Sequence, residues 1–280
     1  MDTHDLSGRW ALVTGAGSGI GRATARALAA RGADLVLCDI EKPGLESLEH
    51  ELREMGRRTL VHEVDVSQRS SMEAFAERVH GEIEAVDILV NNAGVAVMAD
   101  FLDCPLQDWD WIVGVNLWGV IHGLHFFVPR MVERGKGGHV VNVSSVAGFL
   151  AARTLIAYSA TKFGVFAISE ALRPELAPHG IGVSVICPGF IDTPISERAR
   201  FRGVASDEEI RQRTTESVRR FSSPPELVAR KILSAIQRNR AVVPVTSGAW
   251  LLYYLKRATP RAVLWTFERV VRLSRRRETL

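Results

Sequence analysis

The segment TGAGSGIGRATARALAARG, residues 14–32, joins a short apolar run to an alanine-rich helical pattern. Its glycines Gly15, Gly19 and Gly21 follow the spacing G-x3-G-x-G. Glycines at a strand-to-helix turn let the backbone turn tightly and approach a pyrophosphate closely, and they present amide groups at the helix N-terminus, where the dipole favours an anion. A purely structural turn is the alternative when such a loop is taken alone. The segment therefore predicts a strand–turn–helix unit suited to a dinucleotide.

The same alternation of apolar runs and helical patterns continues along the chain. The runs, in order, are RWALVTG (9–15), ADLVLCD (33–39), RTLVHEVDV (58–66), VDILVNNAG (86–94), GHVVNVSS (138–145), GVSVICPG (182–189) and AVVPV (241–245). Strands that are apolar throughout and separated by helices indicate a parallel sheet covered on both faces. The predicted fold is therefore α/β, a Rossmann-like doubly wound parallel sheet of about seven strands with helices on both faces.

Two segments fall outside this rhythm: a polar, Arg-rich stretch at about 194–222 and a tail at about 246–280. Neither a linker-like composition nor a repeat divides the chain, so we interpret residues 1–280 as one domain. The net charge of +3 hides an asymmetry, because residues 191–280 carry 19 Lys/Arg against 9 Asp/Glu. Such asymmetry is typical of proteins that contact nucleic acid or membranes.

Composition narrows the cellular setting. The 46% hydrophobic and 24% charged content is ordinary for a globular protein. The three cysteines, Cys38, Cys104 and Cys187, show no metal-ligand spacing, which favours reduced thiols in a cytoplasmic protein. We expect no signal peptide in the N-terminal MDTHDLSGRW and no apolar run of the roughly 18 residues that a transmembrane helix needs.

The second strand ends at Asp39, some 18 residues past Gly21. A carboxylate there can accept hydrogen bonds from ribose hydroxyls and repels a 2′-phosphate, so Asp39 favours NAD(H) over NADP(H). Neither Ile40 after it nor Ser18 before the second glycine is basic. Arg22 and Lys42 keep NADP(H) open as the alternative.

A further stretch, AYSATKFG (157–164), places a Tyr and a Lys four residues apart. Positions i and i+4 share one face of a helix, so Tyr158 and Lys162 should point the same way. A snorkelling Lys above a half-buried Tyr is the ordinary explanation for that pair alone.

Six motifs, taken together, resemble the short-chain dehydrogenase/reductase family in order and spacing. They are TGAGSGIG (14–21), NNAG (91–94), the Asn of IVGVNLWG (112–119), NVSS (142–145), YSATK (158–162) and PGFIDT (188–193). Six motifs in order make a chance match very improbable. The resemblance implies an NAD(P)-dependent oxidoreductase.

The resemblance implies catalytic roles for Asn116, Ser145, Tyr158 and Lys162. Tyr158 would exchange a proton with the substrate, and Ser145, which lies 13 residues before it, would hydrogen-bond the substrate oxygen. Because a free phenol has a pKa of ~10, we expect Lys162 and the positive nicotinamide ring to lower the pKa of Tyr158. Asn116 would open its helix locally and support a water chain to Lys162.

The resemblance also implies the cofactor-binding set. Asp65 would bind the adenine edge, the NNAG loop would shape the floor beneath the adenosine, and the segment around Pro188 would clasp the nicotinamide amide. The full set is Gly15, Ser18, Gly19, Ile20, Gly21, Asp39, Asp65, Val66, Asn91, Asn92, Ala93, Gly94, Tyr158, Lys162, Pro188, Gly189, Ile191 and Thr193. No metal site is expected, since His122 and His125 lack a third ligand at metal spacing.

Apolar residues near the predicted chemistry favour a hydrophobic secondary alcohol or ketone, steroid-, terpenoid- or lipid-like, as substrate. They are Val95, Val97, Met98, Val146, Phe149, Leu150, Leu155 and Phe190, of which about half should be core residues. An NADPH-dependent 3-oxoacyl-type ketoreductase and a non-catalytic dinucleotide-binding regulator are the alternatives.

The segment 194–222 resembles the family's substrate lid, and its arginines either bind an anionic substrate group or are solvated; they are Arg198, Arg200, Arg202, Arg211 and Arg213. The resemblance implies a homotetramer or homodimer through the helices near 108–134 and 155–178. No nucleic-acid motif is present. The basic amphipathic tail packs on the protein, contacts an anionic membrane or is disordered; its apolar stripe is Val263, Leu264, Phe267, Val270 and Val271.

Overall fold

A computed structural model describes residues 1–262 together with Trp265 and Arg269. Within them, seven parallel strands form one sheet and two short strands form a second. The strands are β1 (Trp10–Thr14), β2 (Asp34–Asp39), β3 (Thr59–Glu63), β4 (Ile88–Asn91), β5 (Val97–Met98), β6 (Gly138–Val143), β7 (Ile181–Cys187), β8 (Arg200–Phe201) and β9 (Val242–Pro244). The large sheet has the order β3-β2-β1-β4-β6-β7-β9. All seven predicted strands are therefore confirmed.

Helices cover both faces of the large sheet. They are α1 (Gly19–Ala29), α2 (Lys42–Glu54), α3 (Arg69–Glu82), α4 (Leu106–Val113), α5 (Gly119–Arg134), α6 (Ile156–Leu176), α7 (Glu208–Arg220), α8 (Pro225–Gln237) and α9 (Ser247–Ala258). The chain runs outward from β1 to β3 and then from β4 to β9 on the other side. This reversal places the carboxyl ends of β1 and β4 side by side at the switch point, where doubly wound folds bind their ligands.

Alternate residues of each strand feed two separate cores, as the apolar runs predict. Val13 packs in a cluster with Leu28 of α1 and Ile232 of α8. Leu12, its neighbour, packs in the cluster of Phe75 from α3 and Phe127 from α5. Because both faces are buried, the strands need apolar residues at successive positions, and this is why they lack the alternation of a half-exposed sheet.

The helical run Leu106–Arg134 contains a π-helical segment, Gly114–Trp118, between α4 and α5. This run is long and apolar enough to cross a membrane by length and composition, since an 18-residue window of it has a mean hydropathy of 1.4, so the expectation that no such stretch exists is wrong. Val120, Phe127 and Met131 of α5 are buried inside the protein. Core helices of globular proteins pass the same composition test, so the run by itself is weak support for a membrane span.

The segment predicted as a polar lid has regular structure of its own. Strand β8 pairs in parallel with β5, which follows the NNAG loop, and α7 occupies much of the remainder. An isolated bridge between Ile191 and Ser223 closes the base of the segment. The lid is thus attached to the body through β8, and its two flanks are joined to each other at Ile191 and Ser223.

Replacing Gly21 by Ala should destabilise the fold, because a Cβ there would overlap the Gly15 carbonyl oxygen and lie 2.6 Å from the Asn92 amide nitrogen. Gly81→Ala in α3 is the matched control: its Cβ would meet open space, and Ala stabilises a helix by about 0.5–1 kcal/mol relative to Gly. Urea unfolding of both variants measures the difference. Equal effects of the two substitutions would contradict the close approach of α1 to β1 and β4.

Candidate active site

The carboxyl ends of β1 and β4 are joined by side-chain hydrogen bonds. The Asn92 side-chain amide donates to the Thr14 carbonyl at 2.8 Å and to the Gly15 carbonyl at 3.1 Å. In return, the Thr14 hydroxyl accepts from the backbone amides of Asn92 and Ala93, both at 3.0 Å. The glycine loop and the NNAG loop are consequently held together as one rigid floor.

A cavity of about 420 Å³ opens above this floor. It brings together sixteen of the eighteen predicted cofactor residues and three of the four predicted catalytic residues. Those at the cavity are Gly15, Ser18, Gly19, Ile20, Asp39, Asp65, Val66, Asn92, Ala93, Gly94, Ser145, Tyr158, Lys162, Pro188, Gly189, Ile191 and Thr193. Gly21, Asn91 and Asn116 do not line it.

Gly21 and Asn91 lie behind the floor of the cavity and support it. Gly21 provides the close approach of α1 to Gly15 described above. The Asn91 side chain is buried and donates to the Asn142 side chain at 2.9 Å, so it joins β4 to β6 instead of facing the cavity. These two predicted cofactor residues therefore support the floor of the cavity and do not line it.

The cavity fits a nicotinamide dinucleotide. Ser18, the N-cap residue of α1, makes no side-chain capping bond, and the first turn of α1 carries no acidic residue. The amide donors of that turn are thus suited to an anion. Gly19 has φ +51°, and a Cβ there would lie 2.8 Å from the Thr193 methyl carbon, so only Gly keeps this side of the cradle open.

Asp39 is held at the adenosine end of the cavity. One carboxylate oxygen accepts from the Gly17 amide at 2.9 Å and the other from the Glu41 amide at 3.1 Å. Arg22 and Lys42, the two residues that favoured NADP(H) as the alternative, have partners within the protein. The Arg22 guanidinium donates to Glu51 and Ser47, and the Lys42 ammonium is 3.6 Å from the Glu46 carboxylate.

Tyr158, Lys162 and Ser145 converge at the other end. The first two lie on one face of α6, as their spacing predicts, with the Lys162 ammonium 5.6 Å from the centroid of the Tyr158 ring. That ammonium donates to the Val143 carbonyl at 3.0 Å, and its residue is only 3% exposed. Ser145 lies two residues after the end of β6, and its hydroxyl accepts from the Ala147 amide at 3.1 Å and donates to the Pro188 carbonyl at 3.4 Å.

Burial sets the protonation of this cluster in the protein alone. It raises the pKa of Tyr158, and the Ser145 hydroxyl offsets only part of that increase. Burial also lowers the pKa of Lys162 to about 8. The prediction that Lys162 and the nicotinamide ring together lower the pKa of Tyr158 concerns the site with its cofactor bound, whereas in the protein alone desolvation is the largest effect on both groups.

Asn116 lies in the π-helical segment, where the helix opens as predicted, and is fully buried. Its amide oxygen accepts from the Val95 amide at 2.8 Å, while its nitrogen donates to the Val95 carbonyl at 2.9 Å and to the Thr161 hydroxyl at 3.2 Å. Asn116 thereby ties the loop after NNAG to α6, one residue before Lys162. Gly94 lies between the two, since a Cβ there would be 3.4 Å from the Asn116 oxygen and 3.5 Å from the Lys162 nitrogen.

The lid arginines bind carboxylates of this protein. Arg200 and Arg202 both donate to Asp108 of α4, at 2.8 and 2.6 Å, and Asp108 is only 2% exposed. These hydrogen bonds keep the pKa of Asp108 below its ordinary value despite the opposing effect of burial. The other three pairs are Arg198 with Glu41, Arg211 with Glu208 and Arg213 with Glu209. Arg198, Arg211 and Arg213 are exposed to solvent in these pairs, whereas Arg200 and Arg202 meet a buried carboxylate.

The apolar wall of the cavity differs from the predicted one. Of the eight apolar residues proposed, only Val95 lines the cavity, while Val97 and Phe149 are buried in separate core clusters. The structure adds Ala96, Trp111 and Ile195. Sequence reasoning missed Trp111 because the residue lies on α4, away from the motifs. The Arg200 guanidinium stacks 3.7 Å above its ring and holds the ring at the site.

His122 is buried and its Nδ1 lies 2.9 Å from the Val66 carbonyl, whereas His125 is exposed and its ring contacts Phe126. Helix packing is confirmed for His122. No cluster of metal-ligating side chains occurs among the described residues. The apolar stripe predicted for the tail, with Arg272 and Arg276, lies outside the residues that the structure describes.

The burial of Lys162 should make stability depend on pH. Its pKa is about 8 in the folded protein against 10.5 ordinarily, so between these values the unfolded chain binds more protons and stability rises with pH. Relative to Lys162→Met, the parent protein should gain about 3 kcal/mol between pH 7.5 and 10.5. Urea unfolding across that range measures the gain.

Lys136→Met, at an exposed lysine that pairs with Glu84, is the matched control and should show no such gain. A flat difference between parent and Lys162→Met would mean that Lys162 is not buried as a charge.

Comparison with known proteins agrees with this geometry. A family model described as short chain dehydrogenase matches residues 9–202. A protein of Mycobacterium tuberculosis named oxidoreductase EphD is 42% identical over 255 residues, which are 90% of this chain but 43% of that protein. The chain thus spans less than half the length of that relative.

Two further relatives align over most of their own length. The 3-oxoacyl-[acyl-carrier-protein] reductase FabG of Thermotoga maritima is 36% identical, covering 69% of this chain and 78% of its own. A short-chain dehydrogenase/reductase of Burkholderia phymatum, solved in complex with NAD, superimposes with a TM-score of 0.84 at 31% identity, covering 92% and 95% of the two chains. This chain belongs to the short-chain dehydrogenase/reductase family.

Proposed function

We propose that the protein transfers a hydride between NAD(H) and a hydrophobic secondary alcohol or ketone. The observation that carries this proposal is one continuous cavity with Asp39 at one end and Ser145, Tyr158 and Lys162 at the other. A bound nicotinamide dinucleotide supplies the hydride acceptor or donor. The protein has to supply binding, orientation and proton transfer.

In the proposed mechanism, Tyr158 exchanges the proton. For alcohol oxidation, its phenolate oxygen takes the proton from the substrate hydroxyl, and for ketone reduction its hydroxyl returns one. The Ser145 hydroxyl holds the substrate oxygen beside Tyr158 as charge on that oxygen changes. Because burial raises the pKa of Tyr158, ionisation requires positive charge in the loaded site, and protonated Lys162 is the cation that this chain contributes.

Asn116 and Lys162 have positioning roles in this proposal. Asn116 fixes the Val95 backbone through two hydrogen bonds and keeps a helical turn open beside Lys162. Ser144, the neighbour of Ser145, is turned away and donates to the Lys162 carbonyl at 2.8 Å. This hydrogen bond supports Ser145 as the substrate-facing serine of the pair.

Two features support the preference for NAD(H) and for an apolar substrate. The Asp39 carboxylate would repel the 2′-phosphate of NADP(H), and the two basic residues that could neutralise it, Arg22 and Lys42, are paired with Glu51 and Glu46. On the substrate side, the cavity wall has Val95, Ala96, Trp111 and Ile195. Water-poor walls of this kind suit a hydrophobic substrate.

The second candidate is an NADPH-dependent 3-oxoacyl-type ketoreductase, which the similarity to FabG favours. Asp39 argues against its cofactor. A non-catalytic regulator is less well supported, since a binding module has no need of Ser145, Tyr158 and Lys162 together at one cavity. Self-association through α5 and α6 is part of the proposal, supported by the exposed Trp118 and Phe163 at the π-helical segment and on α6.

The Tyr158→Phe variant should lose turnover by about 10²–10⁴-fold, the range that proton transfer contributes, while its affinity for NAD⁺ stays near that of the parent. The near-ultraviolet absorbance of reduced nicotinamide measures turnover across steroid, terpenoid, aliphatic and sugar alcohols at mildly alkaline pH. Tyr254→Phe, at an exposed tyrosine, is the control. Near-normal turnover of Tyr158→Phe would falsify the proton-transfer role.

The Asp39→Asn variant should shift the kcat/KM ratio towards NADP⁺ by about 10- to 100-fold, because it removes a like-charge repulsion worth about 1.4–2.7 kcal/mol but keeps an acceptor for the Gly17 amide. Asp110→Asn removes the same charge from an exposed position on α4 and should leave the ratio unchanged. A parent enzyme that works only with NADP⁺ would overturn the cofactor proposal.

A further inference from the structure

Helix α9 buries one face and exposes an apolar opposite face. Ala249 and Tyr253 are buried, and Tyr253 packs in a cluster with Phe149 and Phe166. On the other side, Leu251 and Tyr254 are each 60% exposed and Leu255 is 41% exposed. Single exposed apolar residues are common, but three at the spacing 251, 254 and 255 form one continuous stripe. We refer to Leu251, Tyr254 and Leu255 as the outer face of α9.

The chain around the outer face carries positive charge alone. Residues 227–267 contain seven Lys/Arg and no Asp or Glu. Lys256 and Arg257 end α9, Arg261 follows it in an exposed position, and Trp265 is 58% exposed. Arg257 pairs with Glu170 of α6, so it serves the attachment of α9 to the body. Lys256, Arg261 and Trp265 extend the stripe with cations and an aromatic ring.

We propose that the outer face of α9 docks on an anionic lipid surface. An amphipathic helix that lies in the membrane interface combines an apolar stripe with flanking Lys and Arg, and Trp and Tyr prefer the headgroup level. Each Lys or Arg near an anionic leaflet strengthens the attraction. Glu170, a carboxylate that meets α9, is paired with Arg257. The outer face thus offers lipid both kinds of contact at once.

A second copy of the chain suits this face less well. Its three side chains form a patch of a few hundred Å² at most, whereas a stable protein interface buries about 800 Å² per partner. Two copies would also bring together two segments, residues 227–267 of each, that contain basic residues and no Asp or Glu. A lipid surface requires no such area, because weak apolar insertion and charge attraction act together.

The other exposed apolar stretch provides a contrast within the same molecule. Leu102 and Leu106 are 94% and 76% exposed, but Asp100 and Asp103 lie within the same few residues. An anionic lipid surface would repel those carboxylates. Leu102 and Leu106 are thus a matched control that has more exposed apolar surface and the opposite charge.

The test is co-sedimentation of the full-length protein with vesicles. Phosphatidylcholine vesicles containing about a third phosphatidylglycerol should bind the protein, pure phosphatidylcholine vesicles should bind it far more weakly, and high salt should release it. The double variant Leu251→Ser/Tyr254→Ser should reduce binding by at least about tenfold. Lys256→Gln/Arg261→Gln should reduce it by about 30-fold.

The control Leu102→Ser/Leu106→Ser should sediment like the parent. Circular dichroism and NAD⁺ binding of all variants show that each is folded, and neither readout depends on the substrate proposed above. Equal binding of the parent to neutral and anionic vesicles, unchanged binding by both α9 variants, or a change of oligomeric state in Leu251→Ser/Tyr254→Ser without loss of lipid binding would each overturn the proposal.

Discussion

The close approach of the carboxyl ends of β1 and β4 is the constraint on which the rest of the site depends. The Asn92 side chain binds the carbonyls of Thr14 and Gly15, and the lack of a side chain at Gly21 lets α1 begin directly against them. This contact fixes where the α1 N-terminus points and where the NNAG loop turns. The rest of the site, from the hydrogen bonds of Asn116 to the lid, depends on the position of this floor.

The catalytic cluster is placed at a cost in stability. Lys162 is only 3% exposed, so burial disfavours its charged form. Its ammonium donates to one carbonyl, that of Val143. Asn116 takes its helix out of regular α geometry to bind the Val95 backbone. Strain and desolvation of this kind persist only where the surrounding structure holds the residues in place. Here α6 and two loops at the edge of the sheet hold Lys162 and Asn116.

Sequence patterns predicted the features whose signals are local. Seven apolar runs became seven strands, and the i, i+4 spacing of Tyr158 and Lys162 put them on one face. The patterns missed contacts between distant segments: Arg200 and Arg202 meet Asp108 more than 90 residues away, and that contact brings Trp111 to the cavity. The raised pKa of Tyr158 was missed for the same reason, since it reflects three-dimensional burial.

The positive charge of the C-terminal third has two different physical meanings. In the lid, each arginine of the predicted set meets a carboxylate, and the buried Asp108 turns two of them into an anchor for β8. Residues 227–267, a stretch of 41 residues, contain seven basic side chains and no Asp or Glu. Charge of the first kind is satisfied within the protein, whereas charge of the second kind has few internal partners available. The net charge of +10 for residues 191–280 is therefore the sum of two different groups of basic residues. Those of the lid are paired within the protein, whereas those of residues 227–267 can attract another surface.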